Sequence, residues 1–196
     1  GEFLFPPSAM NDTQAYINHV LKLNVYAKKY LLNVDDGTPG YRWPAVQADG
    51  YAQDWGQYDG SVPEMEIGAL LALPPSIDVE NMGLITVPGK VLARTLQRYG
   101  AYIVDDTAWD VVGINTQIGP DGDVAHEFEQ HYGFSMIPQS TSAPWAQDVA
   151  IIVQALHVVD NNSASTIGGG PTSDYTNRLA SVKGPIGTPG TGVTCP

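Results

Sequence analysis

Residues 86–107 constrain the fold more than any other part of the chain. Their first half has an apolar residue at every third or fourth position, which is the pattern of an amphipathic helix. Thr86 is a typical N-cap, and Gly100 lies where a left-handed residue would end the helix. A β-prone apolar segment, 101–104, follows at once. We therefore predict a helix that leads directly into a strand buried on both faces.

Two carboxylates, Asp105 and Asp106, end this predicted strand. Charged groups are costly to place at the end of a buried strand, because burial without a partner removes their hydration. We therefore take both as candidate catalytic residues.

The composition is that of a loop-rich β protein. The chain has 196 residues, 21 of them glycine and 15 proline, while charged residues make up only 15%. This length fits a single domain. A formal net charge of −12 repels phosphate backbones and anionic membranes, so we expect no nucleic-acid partner. No apolar run approaches the roughly 18 residues of a membrane span, so we also expect no membrane insertion.

The segment 16–27 predicts the first strand, because apolar and polar residues alternate along it. This alternation puts His19 on the more apolar face, with Lys22 on the other. His19 is either a part-buried histidine bonded to a backbone carbonyl or a functional residue. Both alternatives stay open from the sequence.

Aromatic side chains are frequent around a long polar loop, residues 46–63. Exposed rings with flat apolar faces are typical of carbohydrate sites, but such rings can equally pin a loop to the body of a protein. The candidate substrate-binding residues are Arg42, Trp43, Tyr51, Trp55 and Tyr58.

Two further pairs of polar residues have the spacing of functional sites. Glu64 and Glu66 would share one face of a predicted strand, 64–73, as a paired acid and nucleophile or as solvated charges. Glu127 and His131 are four apart on a predicted helix, but no third ligand accompanies them. We therefore predict a surface pair there, and neither a metal nor a cofactor.

Two more helices are predicted. One begins at Asp123 as N-cap and ends at Gly133, and the other runs from Pro144 to about Val158 after Thr141 or Ser142. The fold class is α+β, a β-sandwich or barrel-like sheet with two to three packed helices. Residues 1–162 would form a single domain. Residues 163–196 are rich in Gly, Pro, Ser and Thr and are predicted to form an extended tail.

Several residues bear on export. A lone cysteine, Cys195, cannot form an internal disulfide. The chain opens without a signal peptide, but it is compatible with a mature secreted protein. Asn11 and Asn161 begin N-x-S/T sequences that permit N-glycans.

Short motifs in a fixed order resemble a broad group of secreted bacterial and phage-associated proteins without an established activity. The motifs are the segments 17–27, 40–45, 68–75, 93–107 and 155–162, of which the first contains His19 and the second contains Tyr41-Arg-Trp-Pro-Ala45. The group shares a line close to I-x-H-A-L, Y-x-W-P-A and A-L-Q-x-Y-G-A-Y-V-V-D, and Val20 departs from its usual alanine. The resemblance covers nearly all of the chain to about residue 170. It implies an exported, β-rich protein that is the C-terminal part of a longer chain.

The motif positions include His19 and Asp105, which would form a base and its orienting partner, with Arg42 or Lys22 as an electrophilic group. The same two residues could equally bond one another across neighbouring strands in a structural role.

These observations predict an extracellular protein that binds or hydrolyses polysaccharide. In the hydrolytic version Asp105 or Asp106 is the acid or base and His19 is its partner. The alternative is a structural subunit of an extracellular assembly, such as a filament or surface layer, held by exchange of its tail or edge strands between copies.

Overall fold

A computed structural model describes residues 15–33, 40–54, 56–120 and 122–169. Its architecture is α+β, with one five-stranded mixed sheet, one two-stranded ribbon and four helices. The sheet has the order β4-β1-β3-β2-β7, and its strands are β1 (Leu21–Val25), β2 (Leu70–Ala72), β3 (Ala101–Asp106), β4 (Val112–Ile114) and β7 (His157–Val158). The ribbon joins β5 (Ile118–Gly119) to β6 (Gly122–Asp123), and the helices are α1 (Ala27–Tyr30), α2 (Val87–Arg98), α3 (Val124–Tyr132) and α4 (Pro144–Gln154).

The sheet is open along the described part of the chain, so the barrel-like form is wrong for that part. A second sheet facing the first, which would make a sandwich, is not found among the described residues, and the sandwich stays a prediction.

The helix and strand predicted for residues 86–107 are confirmed. The Thr86 hydroxyl caps α2 by accepting a hydrogen bond from the amide of Gly89 at 3.0 Å. Gly100 has a φ of 73°, and this left-handed turn lets β3 begin immediately after the helix. Strand β3 then runs parallel to β1 at the centre of the sheet.

The prediction that β3 is buried on both faces is wrong. Ala101 and Ile103 are fully buried, but Val104 is 36% exposed. Helices α2 and α4 pack on each other, and their apolar residues join one main cluster with those of the sheet. The opposite face holds only a small cluster around Leu70 and Val159. One face of β3 is therefore partly open to solvent.

A buried carboxylate fixes the start of α2 against α4. Asp148 is fully buried in α4 and accepts hydrogen bonds from the amide of Ile85 at 2.8 Å and the amide of Thr86 at 2.7 Å. It also accepts one from the Thr86 hydroxyl at 2.5 Å. A side chain at Gly89 would collide with this carboxylate. The position therefore needs glycine because the two helices approach so closely.

Several predicted boundaries are wrong. Strand β1 is shorter than 16–27, so His19 lies outside it. Glu64 and Glu66 precede β2 rather than sharing its face, since that strand begins only at Leu70. Helix α4 ends at Gln154 because the following residues turn to pair Val158 with Leu71.

The third helix is confirmed at both ends, where Asp123 caps it and Gly133 ends it in a left-handed conformation. Helix α4 begins at Pro144 as predicted. Its N-cap is Ala143 rather than Thr141 or Ser142, and no side chain caps it. Proline at the first position explains this, because it has no N–H that needs a partner.

Residues 163–169, which the sequence assigns to the tail, form a turn against the body of the protein. The amide of Gly168 donates to the Asn162 side chain at 2.9 Å, and Gly168 is buried. Asn11, Trp55, Cys195 and residues 170–196 lie outside the described residues.

We expect Asp148→Ala to lower the free energy of unfolding by about 3 kcal/mol, because it leaves two part-buried amide groups and the Thr86 hydroxyl without their acceptor. Urea unfolding measures the change. Asp78→Ala is the matched control, since Asp78 also caps a helical turn but is exposed, and its loss should cost about 1 kcal/mol. Equal losses would contradict the role assigned to Asp148.

We also expect Leu96→Ala to cost about 2–5 kcal/mol, because Leu96 is only 2% exposed on the inner side of α2. Val87→Ala on the exposed side of the same helix should change stability by less than about 0.5 kcal/mol. A small loss at Leu96 would show that the core face has been misassigned.

Candidate functional site

Three carboxylates meet where the parallel strands β1 and β3 end. Asp49, Asp105 and Asp106 each place one oxygen within 4.8 Å of the oxygens of the other two. Asp105 is exposed, and the other two are half-buried. We call these three residues the acidic cluster.

A β-bulge in β3 positions two of the three. Leu23 pairs with Ile103, but Asn24 pairs with Asp105, so Val104 is the extra residue. A bulge of this kind re-aims the side chains that follow it. As a result Asp105 lies beside Asn24, and Asp106 lies beside Val25 at the end of β1.

The third carboxylate comes from the aromatic loop. Tyr58 is completely buried, and its hydroxyl donates to Asp49 at 2.6 Å. The loop is also tied down by the amide of Gly60, which donates to the carbonyl of Leu31 at 2.8 Å. A buried ring and a short hydrogen bond thus hold Asp49 against the end of the sheet.

The sequence allows the aromatic residues of this loop either to contact carbohydrate or to pin the loop to the body of the protein, and the structure gives different positions to Tyr58 and Tyr51. Tyr58 pins the loop, as its burial indicates. Tyr51 is 38% exposed and packs its ring edge-to-face with that of Tyr58 at 6.2 Å, and its hydroxyl lies close enough to Asp106 for each group to influence the pKa of the other. The acidic cluster therefore has an exposed aromatic ring at its margin.

Mutual repulsion and burial shape the protonation of the cluster. Partial burial raises the pKa of Asp106, and the nearby charges of Asp49 and Asp105 raise it further, although the bond from Tyr51 works against them. Burial and the same carboxylates raise the pKa of Tyr51 to about 12. The pKa of Tyr58 is raised in the same way, so both tyrosines are neutral donors at physiological pH.

His19 does not join this site. Leu21 pairs with Ala101, whereas Asp105 pairs with Asn24, so His19 precedes β1 by two residues while the cluster lies at the other end of that strand. Its Nδ1 lies 2.9 Å from the carbonyl oxygen of Val20. The proposed contact between His19 and Asp105 is therefore wrong, because the parallel register separates them.

Arg42 and Trp43 are also placed elsewhere. The Arg42 guanidinium donates to the carbonyl of Glu64 at 3.2 Å and to that of Asp160 at 2.9 Å. Trp43 packs edge-on against Tyr102 at 6.4 Å. These contacts link distant loops, which gives Arg42 a structural role in the described part of the chain.

The acidic cluster is the one group of three or more possible ligands in the described ranges with the geometry to hold a metal ion. Its ligands would all be carboxylate oxygens, the type that Ca²⁺ and Mg²⁺ prefer. Glu127 and His131 do not belong to any such group there.

Sequence reasoning missed two residues at this end of the molecule. Asp49 has no pattern that distinguishes it from the other polar residues of its loop. Trp109 follows the cluster by three residues and is 66% exposed, and its carbonyl accepts a hydrogen bond from the Thr107 hydroxyl at 2.7 Å. Its loop is fixed to α1 through Asp110, which accepts hydrogen bonds from Lys29 and Tyr30, each at 2.9 Å.

Comparison with models of protein families, with curated proteins and with solved structures finds no match to this chain. None of the helices in the described ranges has the length and apolar character needed to cross a membrane. The Asn161 side chain, one of the two predicted glycan sites, donates its amide hydrogen to the carbonyl of Gly169 at 2.7 Å.

We expect Asp49→Asn to lower the pKa of Asp106, because the change removes a neighbouring negative charge while it keeps an oxygen that accepts from Tyr58. Carboxyl carbon NMR during a pH titration measures the shift. Asp54→Asn, an exposed change in the same loop, should leave the pKa of Asp106 where it is. An unchanged value in Asp49→Asn would contradict the proximity of these charges.

Proposed function

We propose that this protein is extracellular and binds polysaccharide at the acidic cluster. The observation that carries the proposal is the position of the exposed Tyr51 ring beside the three carboxylates, which lie close enough to its hydroxyl to raise its pKa. Sugars are recognised by this combination, in which a ring covers the apolar face of the sugar and carboxylates accept from its hydroxyl groups.

The surroundings of the cluster support a polymer as the ligand. Trp109 offers a second exposed ring in the loop that follows Asp106. The partly open face of β3 continues from the cluster through Val104, so the site is a surface rather than an enclosed pocket. An extended chain can lie across such a surface without entering the core.

Hydrolysis is the second candidate function, and the raised pKa of Asp106 favours it. A carboxyl group that keeps its proton to higher pH can protonate the glycosidic oxygen as the bond to the sugar breaks. Asp49 or Asp105 would then attack the anomeric carbon, and a water molecule would later release the sugar. Oxygens within 4.8 Å leave no space for a water between the groups, which favours retention of configuration.

Export and membership of the secreted group that the motifs resemble are part of the proposal. The acidic composition is compatible with both. The resemblance supports a β-rich exported protein and supplies no activity.

The alternative, a structural subunit that exchanges tails or edge strands, rests on residues that lie mostly outside the described ranges. The two edge strands of the sheet, β4 and β7, are three and two residues long. Edges this short offer little template for another chain. A facing sheet supplied by a second copy would complete the predicted sandwich, and light scattering would detect the resulting oligomer.

A glycan array, followed by calorimetry on the best polysaccharide, tests the proposal. We expect Tyr51→Ala to weaken binding by up to about tenfold, the value of one aromatic contact. Asp106→Asn should weaken it as well and, if the protein is a hydrolase, should abolish release of reducing ends. Asp54→Asn is the control and should bind like the unmodified protein.

An array without any bound glycan would overturn the polysaccharide proposal. Unchanged affinity for the glycan in Tyr51→Ala and Asp106→Asn would also overturn it, because the ligand would then bind elsewhere on the protein. Binding without release of reducing ends would retain the first function and remove the second.

A further inference from the structure

A groove of about 320 Å³ lies where β1 begins, separate from the acidic cluster. This volume is within the range of small-molecule sites, about 300–1,000 Å³. Its polar lining comes from His19, Lys22, Asn115, Thr116 and Gln117. None of the described residues that line it is acidic, although acidic residues outnumber basic ones by more than two to one in the whole chain.

Backbone hydrogen bonds fix the walls of this groove. The amide of Asn115 donates to the carbonyl of Lys22 at 3.1 Å, which ties the chain after β4 to β1. The amide of Val124 donates to the carbonyl of Gln117 at 3.2 Å, which ties the same segment to the first turn of α3. The polar side chains therefore project from a preformed junction of three elements.

Lys22 is exceptional among the positive charges of the described part of the chain. Five of the seven are engaged with other groups: Lys29 with Asp110, Lys90 and Arg94 with Glu80, Arg42 with two carbonyls, and Arg98 with the Tyr16 ring. Lys22 and Lys28 make no such contact with described residues, and both are exposed. Of these two, only Lys22 lines the groove.

Two carboxylates that are close to the lining residues in sequence or in the sheet accept hydrogen bonds from backbone amides. Asp123, next to the lining residue Val124, accepts from the amide of Ala125 at 2.9 Å as the cap of α3. Asp105 lies beyond Asn24 on the same face of the sheet, and there it accepts from the amide of Asp106 within the acidic cluster. Within the described ranges no carboxylate forms an ion pair with Lys22, so its charge is available there to a ligand.

We propose that this groove binds a small hydroxylated carboxylate of about the size of a single sugar. Lys22 takes the carboxylate, and the side chains of Asn115, Thr116 and Gln117 exchange hydrogen bonds with the hydroxyl groups. Val20 and Val124 give apolar contact to the carbon skeleton. The assignment does not depend on polysaccharide binding at the acidic cluster.

Galacturonate and galactose form a matched pair of probes, because they differ only in a carboxylate in place of a hydroxymethyl group. In an NMR titration of the full chain, galacturonate should shift the amide signals of Lys22, Asn115 and Gln117. It should bind about two- to fivefold more tightly than galactose, the value of one exposed ionic contact. The preference should decrease as salt is added.

Lys22→Gln should remove the preference for galacturonate, since it deletes the charge and keeps a polar side chain. Lys28→Gln makes the same change in net charge on α1 and should retain the preference. Both positions are exposed, so neither variant should unfold the protein.

Equal affinity for the two sugars would overturn the proposal, as would signal shifts confined to residues away from the groove. A loss of preference in Lys28→Gln equal to that in Lys22→Gln would show a general effect of net charge and would overturn it too. Failure of the polysaccharide proposal would be detected separately, by the glycan array and by the binding of Tyr51→Ala and Asp106→Asn.

Discussion

The arrangement of this protein depends on one buried carboxylate. Asp148 lies in α4 but satisfies backbone and hydroxyl donors just before α2 begins, so it sets where that helix starts and how close it lies to its neighbour. Helix α2 passes through Gly100 directly into β3, and β3 carries two of the three acids at its far end. The position of the candidate site therefore depends on a hydrogen-bonded contact at the opposite end of the same helix–strand unit.

Sequence reasoning identifies the parts of this fold in which local rules and tertiary packing agree. Thr86, Gly100, Asp123 and Gly133 begin or end helices as capping preferences predict. Sequence reasoning fails where the pairing of distant strands decides the outcome. The predicted end of α4 is an example, because the chain there forms β7 and pairs with β2. Asp148 itself looks like an ordinary helix residue in the sequence, because its donors lie about 60 residues away.

The candidate site shows the same division. The sequence predicts Asp105 and Asp106 as site residues because they end an apolar strand. It predicts Tyr51 and Tyr58 because they are aromatic residues in a long polar loop. Asp49 has no sequence signal, since only the buried Tyr58 ring brings it to the cluster. The motif resemblance alone predicts His19 as a partner of Asp105, but the parallel register places it well away from Asp105. Face alternation predicts which side a residue is on, but not how far along the partner strand it lies.

The parallel pairing of β1 with β3 also has a consequence for the order of folding. It joins residue 21 to residue 101, so the central ladder of the sheet forms only when the whole loop of chain between them is closed. Closing so long a segment costs chain entropy that the late contacts must repay, and sheets of this type form slowly. Helix α2, with its cap and its adjoining strand, can form earlier because its contacts are local. We therefore expect the two acids at the end of β3 to meet Asp49 after α2 has formed, because the contacts that bring them together are non-local.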